Sequence, residues 1–189
     1  MNLDFSYQNP TTIYFGKTAM ENLSRELKKY GPTVLLAYGK GAIKKSGLYD
    51  QVQAVLKENH KTIIELPGIM ANPTYQKVQE GAGLVRENRV DLILAVGGGS
   101  VIDCAKAISV AAYCKGDAWT RYWIDFQPVD NAIVPVASIL TLAGTGSEMN
   151  AGSVITNEAA KLKMGRVFPA AVNPVFSILN PQYTFTLPQ

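Results

Sequence analysis

Residues Leu92-Ile93-Leu94-Ala95-Val96 form an unbroken apolar run that ends in Gly97-Gly98-Gly99-Ser100. The residues that follow, from Val101 through Asp103 to Lys106, have helical period. An apolar run without alternation suits a strand buried on both faces, as in a parallel sheet. The chain therefore has to pass from a buried strand into a helix through a glycine turn. The first amides of a helix have no internal partner, and the helix dipole adds positive potential there, so such a turn is an anion site. Two readings compete. In one, the glycines only make a tight turn, with Ser100 as N-cap and Asp103 completing a Ser-x-x-Asp capping box. In the other, the backbone cradles the pyrophosphate of a dinucleotide. A turn needs one glycine, and three imply close approach to the backbone. The run is neither the G-x-G-x-x-G fingerprint nor a Walker loop, since no G-K-[ST] follows. Asp103 is unsuited to facing a phosphate. It ties down the loop or faces a ribose or nicotinamide.

The same alternation extends along the chain. Strands are expected at Thr11–Phe15, Thr33–Tyr38, Thr62–Leu66, Asp91–Val96 and Ile133–Ala137. Helices are expected at Ala19–Tyr30, Ser46–Glu58, from Asn72-Pro73 to about Asn88, and at Val101–Tyr113. Asn72 would be an N-cap with Pro73 at the first helical position. Strands separated by helices of this length imply crossovers, and hence a parallel sheet covered on both faces. After residue 137 the texture changes. Ser153–Thr156 and Val175–Leu179 read as strands bracketing a polar turn at Asn157–Gly165, a hairpin appended to the sheet. The fold class is α/β, Rossmann-like, with flanking helices and that hairpin.

At 189 residues the chain has room for one large domain or two small ones, and the expected division is one dinucleotide-binding domain over residues 1–189. The composition is 47% apolar and 17% charged, ordinary for a globular protein. A net charge of +3, spread along the chain, makes no case for nucleic acid. Met1-Asn2-Leu3-Asp4 is unlike a targeting signal, and no run approaches a membrane span. Cys104 and Cys114 lie ten residues apart in one expected helix, too far to bridge and without zinc spacing. A reducing cytoplasm is the simplest compartment. His60 is the only histidine and sits among polar residues near a helix end. A triad, a histidine metal site or a histidine base has no home here.

Two further segments bear on the ligand. Gly39-Lys40-Gly41-Ala42-Ile43-Lys44-Lys45 follows the second strand, and no carboxylate appears until Asp50. A carboxylate at this point favours the ribose of NAD, whereas a basic open loop favours the 2′-phosphate of NADP. The competing reading is a solvated surface loop. Thr141-Leu142-Ala143-Gly144-Thr145-Gly146-Ser147-Glu148 offers hydroxyls and glycines that suit either a cleft lining or an ordinary loop. Lys163 reads as a solvated charge.

Three motifs together carry a resemblance. Gly97-Gly98-Gly99-Ser100-x-x-Asp103-x-x-Lys106, then Gly144-Thr145-Gly146-Ser147-Glu148, then Asn180-Pro181-x-x-Thr184-x-Thr186-Leu187-Pro188 resemble the iron-containing (group III) alcohol dehydrogenases. Tyr38–Lys45 and Pro174-Val175-Phe176 resemble its butanol dehydrogenase and aldehyde reductase branch. The resemblance implies a dehydroquinate-synthase-like N-terminal domain that binds NAD(P), followed by a helical domain holding a divalent metal. By position, Gly39, Gly41 and Lys44 would lie near the adenosine ribose, and Asn72 matches the family's Asn after the third strand. Gly98, Gly99 and Ser100 would hold the pyrophosphate. Asp103, Thr141, Leu142, Ser147 and Lys163 would lie nearer the ribose and nicotinamide. NADP is the expected cofactor, with NAD as the alternative, and the substrate a small alcohol or aldehyde. The family's metal ligands, one Asp and three His for Fe²⁺ or Zn²⁺, begin after the Leu-Pro motif, and this chain ends at Gln189 before any of them. The expectation is an N-terminal half, inactive alone, from a protein for which a homodimer is the candidate assembly. A stand-alone nucleotide-binding module and a glycerol-dehydrogenase-like half are the rival readings. Asn180 stands where the family has Asp, a minor departure.

Overall fold

In this computed structural model Asp4, Ser6 and residues 8–185 are described. Met1, Asn2 and Leu3, and Thr186, Leu187, Pro188 and Gln189 of the Leu-Pro motif, lie outside the described residues. Six strands form one parallel sheet: β1 (Thr12–Phe15), β2 (Thr33–Tyr38), β3 (Thr62–Leu66), β4 (Leu92–Gly97), β5 (Val136–Leu140) and β8 (Phe176–Leu179). Their order is β1-β8-β5-β4-β2-β3, and every pair is parallel. The helices are α1 (Asn22–Leu27), α2 (Ala42–Lys45), α3 (Leu48–Glu58), α4 (Tyr75–Asn88) and α5 (Gly99–Ala111). An antiparallel hairpin, β6 (Gly152–Asn157) with β7 (Leu162–Val167), stands beside the main sheet.

Alternation along the central strands divides the core in two. Leu35, Ala37, Ile93 and Ala95 pack with α4, α5 and the hairpin on one face. Val34, Leu36, Leu92, Leu94 and Val96 pack with α1 and α3 on the other. Both faces of β4 are therefore buried, which accounts for its continuous apolar run. Helix α5 is enclosed by the sheet, α4 and β6, so it is buried almost all round.

Several expectations need correction. The second arm of the hairpin is Leu162–Val167, which begins inside the stretch expected to be a polar turn and runs past its end. Val175–Leu179 instead supplies β8, inserted between β1 and β5. Burial of Phe176 and Ile178 drives that choice, whereas β7 has an exposed, polar face that hides its strand character. Helix α4 starts at Tyr75, with the Thr74 hydroxyl accepting from Lys77 N–H at 3.3 Å. Asn72 is not the cap; at φ 56° it turns the chain in the left-handed region that asparagine tolerates. Ser100 is not a cap either, because α5 begins at Gly99 with Gly98 at the N-cap position. The expected strand Ile133–Ala137 shifts to Val136–Leu140, since Pro135 has no N–H for the ladder. The Ala19–Tyr30 helix shortens to a 3₁₀ turn, Ala19–Glu21, and α1.

Helices α4 and α5 meet at Gly81, where an added Cβ would stand 2.4 Å from Ile108 Cδ1. Gly83, on the same helix, has only Glu87 Oε1 at 3.9 Å. Urea denaturation should separate them. Gly81→Val is expected to lower stability by about 1–3 kcal/mol through overpacking. Gly83→Ala should raise it by roughly 0.5–1 kcal/mol through helix propensity.

Candidate nucleotide-binding cleft

The strand order reverses between β2 and β4: β2 leads outward to β3, whereas β4 leads the other way to β5. In open parallel sheets ligands bind in the crevice at such a switch point, beyond the carboxyl ends of the strands. The Gly39–Gly41 and Gly97–Gly99 turns flank it. The three glycines after β4 answer to different causes. A Cβ on Gly97 would stand 2.5 Å from Val101 Cγ2, and one on Gly99 would stand 2.4 Å from Thr145 Oγ1. Both are thus required by the protein's own packing. Gly98 is extended at φ −85°, and its Cβ would meet nothing nearer than Leu142 Cβ at 3.7 Å. Packing does not demand glycine there, so Gly98 is the position left for a ligand to explain. The Gly98 carbonyl accepts from the Val101 and Ile102 N–H groups. The Gly99 and Ser100 amides have no acceptor among the described residues. Two bare N–H groups thus stand at the positive end of a 13-residue helix.

Those residues line a hollow of about 330 Å³, closed by Ile69, Met70, Ala71 and the 142–145 segment. Leu142, half exposed, also borders a second hollow of about 310 Å³ between α2 and the 181–184 turn. Thr141, Ile43, Leu48 and Tyr183 line that one. The Thr141 N–H donates to the Gly97 carbonyl at 3.0 Å, which fixes the end of β5 against the glycine turn. Ser46, Gln51 and Gln182 add polar groups to the wall of the second hollow, so a mixed slot and an amide-lined slot meet at Leu142.

On the α2 side, Lys40, Lys44 and Lys45 are exposed. The Lys44 ammonium lies 5.4 Å from the Tyr38 ring centre and 4.6 Å from that of Tyr49, within cation–π range. Glu65, on neighbouring β3, accepts from the Tyr38 and Tyr49 hydroxyls at 2.6 Å each and from Gln53 at 3.0 Å. These hydroxyls, chiefly that of Tyr38, hold its carboxyl below the usual range. Its oxygens are committed to that network.

The remaining expected residues fall into two pairs. Asn72 Oδ1 accepts from Lys163 Nζ at 2.6 Å, so β7 reaches over to the turn before α4. Asp103 Oδ1 accepts from Ser147 Oγ at 2.5 Å, and Asp103 Oδ2 from the Val154 N–H at 3.0 Å. Asp103 therefore ties down the loop and plays no part in a capping box. Sequence reasoning passes over Lys106 as a functional residue. Its ammonium, wholly buried, donates to Ser147 Oγ at 2.8 Å, Asn150 Oδ1 at 3.2 Å and Gly152 O at 3.0 Å. Burial pushes this group down to about 8, against the opposing pull of Asp103 and Glu148. A signal is present in the sequence: Lys106 is the one charge between Cys104 and Cys114 in a run of small and apolar residues. No group of three or more His, Cys, Asp or Glu side chains suited to a metal occurs among the described residues.

Residues 10–181 match the iron-containing alcohol dehydrogenase family. The chain belongs to that family. It is 50% identical over 186 residues to probable NADH-dependent butanol dehydrogenase 1 of Bacillus subtilis, covering 98% of this chain and 47% of that protein. It is 42% identical to NADPH-dependent aldehyde reductase YqhD of Escherichia coli, again over 98% of this chain and 47% of that protein. The crystal structure of NADH-dependent butanol dehydrogenase A from Thermotoga maritima superposes with a TM-score of 0.90 at 40% identity, covering 98% of this chain and 46% of that one. The chain thus spans about half the length of these alcohol dehydrogenase relatives, and its parallel sheet with hairpin is that of their matching half.

Gly98 and Gly99 distinguish a turn from a cradle. Gly98→Ala should leave stability within about 0.5 kcal/mol yet weaken dinucleotide binding at least tenfold, read by calorimetric titration. Gly99→Ala should cost roughly 1–3 kcal/mol of stability by displacing Thr145. Unchanged binding by Gly98→Ala would show the turn to be structural only.

Proposed function

We propose that this chain is the dinucleotide-binding half of an NADP-preferring alcohol dehydrogenase or aldehyde reductase. The observation that carries the reading is the bare Gly99 and Ser100 amides at the start of α5, set at the switch point of the sheet. In this reading the pyrophosphate sits on Gly98, Gly99 and Ser100. The adenosine occupies the slot beside Ile43, Leu142 and Tyr183, with Gly39, Gly41 and Lys44 at its ribose. The nicotinamide end points toward the Asn72–Lys163 pair and the Asp103–Ser147 loop. Bound NADP would supply the hydride acceptor for a primary alcohol, or as NADPH the donor for an aldehyde. This chain's own part is to grip the phosphates and fix the ring's position.

NADP is favoured over NAD by the α2 loop. It presents Lys40 and Lys45 free, and the nearby carboxylate, Glu65, is already engaged by Tyr38, Tyr49 and Gln53. Butanol dehydrogenases named for NADH match the chain at 45–50% identity and NADPH-dependent aldehyde reductase YqhD at 42%, so the preference for NADP rests on the loop chemistry alone. The described residues do not fit the family's divalent metal, Fe²⁺ or Zn²⁺, and we assign its ligands to the remainder of the whole protein, a helical domain. The substrate is a small alcohol or aldehyde. Among the described residues no helix is long and apolar enough to cross a membrane. Cys104 and Cys114 are both free, which suits a reducing cytoplasm. Edge strand β1 exposes Ile13 and Phe15, which suits pairing with a second copy.

Parallel calorimetric titrations with NADP and NAD test the cofactor reading. NADP is expected to bind roughly tenfold more tightly, the worth of one charge-assisted phosphate contact. Lys40→Ala with Lys45→Ala should erase that margin without weakening NAD. Equal binding of the two by the unaltered protein would overturn the preference. The 189-residue chain alone should bind nucleotide and show no turnover with butanol or butanal. Dehydrogenase activity of the metal-stripped chain would contradict the division of labour.

A further inference from the structure

We infer that Lys106 is a positioning residue for the cofactor, clamping the wall of the cleft to α5 with a buried, titratable positive charge. This rests on the dinucleotide reading above. Lys106 is 0% exposed, and its three ammonium protons are all spent, on Ser147 Oγ, Asn150 Oδ1 and Gly152 O. Each acceptor is tied onward. Ser147 Oγ donates to Asp103 Oδ1 at 2.5 Å. Asn150 Oδ1 also accepts from the Gly152 N–H at 2.8 Å, and Asn150 Nδ2 donates to Gly146 O at 2.8 Å. The Ser147 N–H donates to Thr145 Oγ1 at 3.3 Å. That same oxygen stands where a Cβ on Gly99 would collide, at 2.4 Å. An unbroken set of contacts therefore runs from the Lys106 ammonium through the 145–152 segment to the glycine turn. On α5 itself Gly99 and Lys106 lie about two turns apart, roughly 10 Å.

A buried ammonium is an expensive way to hold a loop, since apolar replacements of similar volume are often neutral or stabilising. Its charge is what an apolar clamp lacks. The charged groups facing it are few. Asp103 comes from its own helix and Glu148 from the turn after β5. Helix α4 carries Lys77 and Glu80, which pair with each other at 2.9 Å and bear on Cys104 instead. Strands β4, β5 and β6 and the 170–172 turn contribute no charged side chain. Burial is the dominant cause that brings Lys106 down to about 8, so its charge is lost just above neutrality. Loss of the proton removes one of three donors from the clamp and one positive charge from beneath an anion site. Both effects weaken binding of a pyrophosphate. By linkage, a bound pyrophosphate favours the protonated amine, so binding slightly above pH 8 takes up a proton.

The test is calorimetry with NADPH at about pH 8.3, in two buffers of different ionisation enthalpy, which counts protons exchanged on binding. The 2′-phosphate ionises near pH 6, outside this window. The unaltered protein is expected to take up roughly half a proton per NADPH, and its affinity to fall several-fold between about pH 7 and pH 9.5. Lys106→Met and Lys106→Gln should bind more weakly, take up no proton and show no such pH dependence. A merely structural lysine would weaken binding on removal without erasing a proton from the balance. Proton uptake retained in either variant, or absent from the unaltered protein, overturns the inference. Where neither variant folds, the pH series of the unaltered protein decides alone, and a flat profile overturns it. Failure of the unaltered protein to bind NADPH at every pH is a different result, which removes the dinucleotide reading and this inference with it.

Discussion

The cleft depends on how closely the turn after β4 approaches the segment after β5. Gly99 and Thr145 leave no room for a methyl group between them, and the Thr141 N–H to Gly97 carbonyl bond closes the same seam from below. That contact fixes where α5 begins. The position of its first amides, and so of any bound anion, follows from it. Everything around it serves to hold two backbone segments together without side chains in the way. The sheet supplies parallel strands, and α5 holds the 145–152 segment through Asp103 and Lys106.

This gives the glycine triplet a divided meaning. Gly97 and Gly99 are required by internal packing, and such glycines would exist with no ligand at all. Gly98 has ordinary backbone angles and ordinary space. A triplet in a sequence cannot separate these cases, because all three positions carry the same letter. The neighbours that decide, Val101 and Thr145, lie four and 46 residues away along the chain. The first is local and in principle readable. The second is a tertiary contact.

The parallel sheet is legible in the sequence for a related reason. Val34–Ala37 and Leu92–Val96 are apolar without alternation, which only burial on two faces explains. Strand β7 is illegible because its first four residues, Leu162 to Gly165, read as part of a polar turn, and its partner β6 is what makes it a strand. Asn72 reads as a cap from its place before Pro73, yet Thr74 caps α4 and Asn72 instead takes a left-handed angle. Its pairing with Lys163, 91 residues on, has no local signal. Lys106 is legible as an anomaly, a lone charge in an apolar helix. What it holds is not, since Ser147, Asn150 and Gly152 are more than 40 residues distant.

In the proposed reading the chain is a scaffold whose ligand contacts are mostly backbone, and it spans about half the length of its relatives. The most direct measurement is an NMR titration that follows backbone amides as NADPH is added. The largest shifts should fall on Gly98, Gly99 and Ser100, with a second group at residues 142–145. Shifts confined to other surfaces, with these amides unmoved by saturating NADPH, would contradict the placement of the pyrophosphate at the start of α5.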